Sequence, residues 1–252
     1  MLDPDLRARL NGKDRFDDLM AIDGEVFRHQ AGRRTLRFAR AGKSYFIKQH
    51  LGVGWREIGK NLIQLRLPIV SARNEVLAIN RLQSLGIETM KVAGYGVKGR
   101  NPARLESFIV TEDLGDTVTL EDLCHDWKAC PPDFKFKREL ILRVAEIARR
   151  LHENGVNHRD FYLCHFRLGA GRLYLIDLHR AQLRASTPRR WVLKDLAGLY
   201  FSSMDIGLSR RDLYRFMRAY RKKPLRQILE AETSFWEDVR QWAQRLYRSR
   251  PE

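Results

Sequence analysis

The chain has 252 residues, 47 Lys and Arg against 31 Asp and Glu, a formal net charge of +16, and 44% hydrophobic residues. That length suffices for a substantial core, and the sequence shows no internal repeat and no long disordered linker. No apolar stretch approaches the roughly 20 residues a spanning helix needs, and the opening residues lack an apolar signal core, so any membrane association is expected to be peripheral.

Taken in chain order, the segment Glu25 to Arg34 joins two strand-like runs in which only Gly32 supplies a permissive backbone, so no glycine-rich phosphate loop is present. Arg33 and Arg34 read as solvent-facing. Ser44 to Lys48 alternates apolar residues and ends in a lysine, as an inner strand would if it delivered one ammonium group to a site. The spacing of Ala72, Val76, Ile79 and Leu82, with Gly86 just beyond, predicts a helix that carries Glu75 beside its apolar stripe. Glu75 can then reach Lys48 and orient its ammonium group toward phosphate oxygens, although an exposed ion pair is the plainer alternative. Ser107 to Leu114 reads as an apolar strand ending in acids, equivalent to a hinge whose main chain at Glu112 and Leu114 would meet adenine; an ordinary edge strand fits equally well.

Further along, Thr119 caps a short helix and Pro131-Pro132 marks a loop. Leu140, Ile141, Val144, Ile147, Ala148 and Leu151 then fall on one helical face before Gly155 ends the run. A loop follows with His158-Arg159-Asp160. After the turn Gly169-Ala170-Gly171, the run from Arg172 to Ile176 reads as a buried strand that releases Asp177 at its end. Either acid alone reads just as well as a structural carboxylate. Together, 17 residues apart and downstream of Lys48 and Glu75, they fit a phosphoryl transfer: Asp160 aligns the acceptor hydroxyl and Asp177 holds a magnesium ion on the phosphates of ATP. Five residues after Asp160, where protein kinases place a metal-binding asparagine, stands His165; it reads as a metal ligand, a phosphate contact or a loop hydrogen bond. Phe235, Val239, Trp242 and Leu246 recur at helical spacing and read as packing.

Charge is uneven. Residues 33 to 66 hold nine Lys and Arg against Glu57 alone, and residues 184 to 226 hold twelve against Asp195, Asp205 and Asp212. Nucleotide explains only part of this excess, so a second anion is expected: a phosphorylated substrate, an acidic membrane leaflet, an acidic protein or nucleic acid. No zinc-ligand pattern, aromatic RNA-binding signature or basic heptad supports nucleic acid. Cys124, Cys130 and Cys164 are odd in number and lack ligand spacing, which argues against a disulfide framework and for a reducing, cytoplasmic compartment.

Strands early and helices late suit an α+β fold of two lobes. On the kinase analogy, residues 1–113 form a small antiparallel-sheet lobe for nucleotide and residues 114–252 a larger, mainly helical lobe for catalysis and substrate.

Read as whole strings, Asn157 to Phe166, Ile176 to Ala181, Lys194 to Ala197, Gly54 to Asn61, Phe108 to Glu112 and Ser202 to Arg211 resemble the lipopolysaccharide core heptose kinase family over nearly the full chain. The resemblance implies a protein-kinase-like, ATP-dependent enzyme of Gram-negative bacteria that phosphorylates the first heptose of the inner core at the cytoplasmic face of the inner membrane. It implies a lipid A-core substrate, contact with an anionic membrane surface, and an acyl carrier protein as a partner to test. It also implies that Asp195 braces the catalytic loop. The residues alone leave open another hydroxyl acceptor, such as a small sugar, an aminoglycoside or a protein tyrosine, or a non-catalytic nucleotide-binding module.

Overall fold

Alternating apolar and polar side chains in the first part of the chain bury one face of each strand, and a sheet results. The structure, a computed structural model, describes residues 15–30, 32–40, 42–52, 54–56, 59 and 71–250. Part of the string from Gly54 to Asn61 therefore lies outside the described residues. The elements of the first compact unit are α1 (Arg15–Met20), β1 (Glu25–Gln30), β2 (Arg33–Arg40), β3 (Lys43–Leu51), α2 (Arg73–Ser84), β4 (Val92–Lys98) and β5 (Glu106–Glu112). The strands form one antiparallel sheet in the order β1-β2-β3-β5-β4. Leu36, Phe38, Tyr45, Ile47, Phe108 and Val110 pack with Leu19 into its core. α2 buries Glu75, Ala78, Ile79 and Leu82. Val76, expected on the apolar stripe, is only half-buried, and the stripe instead includes a carboxylate.

The second unit is mainly helical. It contains β6 (Val118–Thr119), α3 (Leu120–Cys124), α4 (Phe134–Glu153), β7 (Val156–Asn157), β8 (Phe166–Gly169), β9 (Arg172–Leu175), β10 (Gln182–Leu183), α5 (Arg189–Ser202), α6 (Arg210–Arg221) and α7 (Leu225–Arg248). Thr119 caps α3, Asp133 caps α4, and Ser209 with Asp212 forms a capping box on α6. α4 buries Leu140, Val144, Ala145, Ala148 and Leu151, the expected face with Ile141 and Ile147 at its half-buried margins. α7 bends at Glu232 and buries Phe235, Val239 and Ala243, while Trp242 and Leu246 are half-buried.

The two units do not divide at one point in the chain. The first comprises the described residues up to Gln83, Thr89–Gly115 and Asp177–Arg180; the second comprises Ser84–Glu88, Asp116–Ile176 and the described residues from Ala181 onward. Apart from the excursion of Ser84–Glu88, the crossing between Gly115 and Asp116 falls two residues after the expected boundary at 113. The short return at Asp177 has a local cause, because that residue bonds to side chains of the first unit.

Candidate active site

In the first unit, β3 alternates so that Tyr45 and Ile47 enter the sheet core while Lys48 leaves the opposite face, opposite Thr35 on β2 and Ile109 on β5. Lys48 Nζ donates to Glu75 Oε1 at 2.7 Å and to Asp177 Oδ1 at 3.1 Å. Burial opposes the ammonium charge, but the Glu75 carboxylate and then the Asp177 carboxylate outweigh it, so the lysine pKa is raised far above its ordinary value. The group stays protonated. Asp177 itself has φ of 60°, a left-handed backbone rare outside glycine. It is supported by His179, whose Nδ1 donates to Asp177 Oδ1 at 2.7 Å, and His179 is in turn tied through its carbonyl to Asn74 Nδ2 at 2.9 Å. Burial, followed by the charges of Arg33, Lys48 and His179, pushes His50 down to about 3, so it is neutral at ordinary pH.

The end of β5 is also held. Asp113 Oδ2 accepts from Arg37 at 2.9 Å and from Ser44 Oγ at 2.8 Å, while Asp113 Oδ1 caps the Gly115 N–H at 3.0 Å. Burial raises the Asp113 pKa, but the bonds from Gly115, Ser44 and Arg37 together bring it below the usual carboxylate value. The Glu112 N–H is committed to the Lys91 carbonyl at 2.9 Å. Any nucleotide base reading Glu112 would meet its carbonyl.

In the second unit, the loop from His158 to His165 is built around Asp195 of α5. Asp195 is fully buried, accepts the His158 N–H on Oδ2 at 2.7 Å and accepts the Arg159 N–H on Oδ1 at 2.8 Å. Arg159 has φ of 75°, a strain those bonds maintain. Behind Asp195, His152 places Nε2 at 3.4 Å from Oδ2 and Nδ1 at 2.8 Å from the Tyr220 hydroxyl. Burial leads the causes that raise the Tyr220 pKa, so its hydroxyl stays protonated. The other side of the loop is closed by two histidines: His158 Nε2 donates to the Ile176 carbonyl at 2.9 Å, and His165 Nδ1 donates to the Asp160 carbonyl at 2.6 Å. A carbonyl only accepts, so these bonds fix both tautomers. Asp160 is thereby presented, half-buried, on a loop with little freedom.

The second unit also contains an apolar cavity of about 480 Å³ lined by Leu140, Val144, Leu196, Leu199, Met217 and Val239 among others. Burial pushes the Cys124 thiol on its wall up to about 12, against the charge of Lys137, so it behaves as a small hydrophobe.

A family model described as the lipopolysaccharide kinase (Kdo/WaaP) family matches residues 17–220. The chain belongs to this family. It is 54% identical over 229 residues to the lipopolysaccharide core heptose(I) kinase WaaP of Escherichia coli strain K12, covering 88% of this chain and 86% of that one. It is 47% identical over 255 residues to the protein of the same description from Pseudomonas aeruginosa, covering 98% and 95%. A solved structure described as WaaP in complex with acyl carrier protein superposes with a TM-score of 0.83 at 43% identity, covering 98% of both chains. The fold is therefore that of a protein-kinase-like α+β enzyme, and the chain is an ATP-dependent phosphotransferase.

Of the residues expected to act, Lys48, Glu75 and Asp177 meet directly in the first unit. Glu112 and Leu114 lie at and just beyond the end of β5. Asp160 and His165 share one loop of the second unit and are bonded to each other. Among the described residues no three His, Cys, Asp or Glu side chains gather as a metal cage. Sequence reasoning missed the Arg37–Asp113–Ser44 network and the bracing role of His158. The first connects positions up to 76 apart with no local signal, and the second sits inside a motif read for its aspartate.

Proposed function

We propose that this chain transfers the γ-phosphoryl group of ATP to a hydroxyl of the first heptose of the lipopolysaccharide inner core. The observation that carries the reading is the Lys48 ammonium held between the Glu75 and Asp177 carboxylates, which the family likeness then ties to a heptose acceptor. Lys48, oriented by Glu75, neutralises phosphate charge. The carbonyl of Glu112 and the N–H of Leu114 are the main-chain groups assigned to adenine. Asp160 aligns the acceptor hydroxyl and receives its proton late, because a loose phosphoryl-transfer transition state asks more for alignment than for a strong base.

Asp177 offers hard carboxylate oxygen, which suits magnesium bound by one carboxylate together with substrate phosphates. Bound there, magnesium would supply charge neutralisation on the phosphates. His165 is assigned to bracing the Asp160 loop through its Nδ1 bond to the Asp160 carbonyl, which leaves Nε2 available for the expected metal-ligand role.

No helix among the described residues is long and apolar enough to cross a membrane. We assign the enzyme to the cytoplasmic face of the inner membrane, reached peripherally, because a net charge of +16 favours an anionic leaflet and a polyanionic glycolipid. An acyl carrier protein is a second partner, by likeness to the structure described as a complex with one. The apolar cavity of the second unit suits the hydrocarbon such a carrier bears.

Mass spectrometry of extracted lipopolysaccharide from cells with and without the gene tests the main reading: one core phosphate disappears on deletion and returns with the wild-type gene. Unaltered core phosphate would transfer the assignment to another acceptor. Size exclusion with acylated and unacylated carrier protein tests the partner, with co-elution expected for the acylated form.

A further inference from the structure

Trp191, in the first turn of α5, is surrounded by cations. The guanidinium carbons of Arg159, Arg184 and Arg190 lie 5.2, 5.6 and 5.1 Å from its ring centroid, and Lys194 Nζ lies 5.6 Å from it. All four charges thus fall within about 11 Å of one another, close to a Debye length at physiological salt. An indole face alone does not neutralise Arg184 and Arg190. Arg184 donates only to neutral amide oxygens, Asn157 Oδ1 at 2.5 Å and Gln182 Oε1 at 2.6 Å, and neither it nor Arg190 forms an ion pair among the described residues. Burial and the charge of Arg190 lower the Arg184 pKa, the signature of a cation short of a counter-charge.

The unsatisfied groups around this cluster share one polarity. Trp191 Nε1 and the Nδ2 of fully buried Asn157 have no acceptor among the described residues. Both can only donate. Two arginines, Arg189 and Arg190, also occupy the start of α5, where no side chain caps the helix and the dipole disfavours positive charge. Cations and orphaned donors together call for a ligand that only accepts: an oxyanion.

We propose that Arg159, Arg184, Arg190, Lys194 and Trp191 form an oxyanion site that holds a phosphate or carboxylate substituent of the acceptor. Resting on the function proposed above, this assignment follows from Arg159, which directly precedes Asp160 and whose main-chain N–H is anchored on Asp195. An anionic group docked on Arg159 would set the acceptor's register one residue from the group that aligns its hydroxyl.

Inorganic phosphate, titrated into the full-length protein at fixed ionic strength, is expected to change tryptophan fluorescence saturably. The change should disappear in Trp191→Phe and require about tenfold more phosphate in Arg190→Gln, which removes an exposed side chain and leaves the fold intact. A response equal in sodium chloride, or retained in Trp191→Phe, overturns the site. In kinetics, Arg190→Gln and Arg184→Gln should raise the KM for glycolipid about tenfold and leave the KM for ATP unaltered, with Arg184→Lys intermediate. Phosphate binding with an unaltered glycolipid KM overturns the acceptor assignment. So does a phosphorylated residue of the chain itself, found by mass spectrometry after ATP, whose removal by phosphatase opens the site to added phosphate. Because the titration needs no turnover, failure of the wild type to phosphorylate glycolipid would refute the enzymatic reading and leave the site's test intact.

Discussion

Asp195 accepts the main-chain N–H of Arg159 at 2.8 Å, and Arg159 is held at φ of 75°. A strained conformer just before the proposed catalytic aspartate therefore depends on a carboxylate from another element of the same unit. Asp195→Asn keeps the shape but turns one oxygen into an amide donor that faces an N–H. Stability is expected to fall by about 2 to 3 kcal/mol from the lost acceptor, measured by urea denaturation, and turnover should fall as the loop relaxes. An Asn variant with wild-type kcat would show that the loop holds itself.

Asp160→Ala should reduce kcat by about 10³-fold, within the range for removing a positioned acid–base group, and leave ATP affinity within about twofold. Turnover by mass spectrometry and nucleotide binding by calorimetry check the two halves separately. Parallel loss of both would move Asp160 into the nucleotide site.

Glu75→Gln removes one of the two carboxylates that keep the Lys48 ammonium in place. kcat/KM for ATP is expected to drop about tenfold or more, and Lys48→Ala should lose more still because the positive charge itself is gone. The order of the two effects is the test: a Gln variant weaker than the Ala variant would contradict orientation through Glu75.

His50 supplies a pH dependence. Its pKa is about 6.5 unfolded and about 3 folded, so the unfolded chain takes up a proton first as pH falls. Stability is fully present above pH 6.5 and is lost progressively toward pH 3, by about 2 kcal/mol between pH 6.5 and 5. Urea midpoints across that range measure it, and His50→Leu should flatten the slope.

Gly155 ends α4 at φ of 74°, and a Cβ there would lie 1.9 Å from the Arg184 carbonyl oxygen. Gly155→Ala combines that clash with left-handed strain and should cost about 3 kcal/mol or more. A wild-type melting temperature would be inconsistent with so close an approach.

Much of this arrangement is legible in the sequence, because it is written in short periods. The alternation ending at Lys48, the helical spacing beside Glu75 and the strand before Asp177 are local signals that tertiary packing has no reason to override. The tie from Asp113 to Arg37 and Ser44 left no such trace, since it depends on which strands become neighbours. His165 is ambiguous for another reason: imidazole serves as ligand and as donor at once, and its 2.6 Å bond to the Asp160 carbonyl shows only what Nδ1 does. Arg184, Arg190 and Lys194 read as part of a basic stretch that calls for a second anion, but nothing in their spacing, or in that of Arg159, announces a common ring.

The brief return of Asp177–Arg180 to the first unit has a consequence for synthesis. Lys48 and Glu75 leave the ribosome early, but the second carboxylate that bonds the lysine is encoded 129 positions after it. At about 5–20 residues per second, the nascent sheet waits on the order of ten seconds for its last charged member. During that interval Glu75 is the carboxylate partner of Lys48, and a stall in translation before codon 177 would leave the unit incomplete.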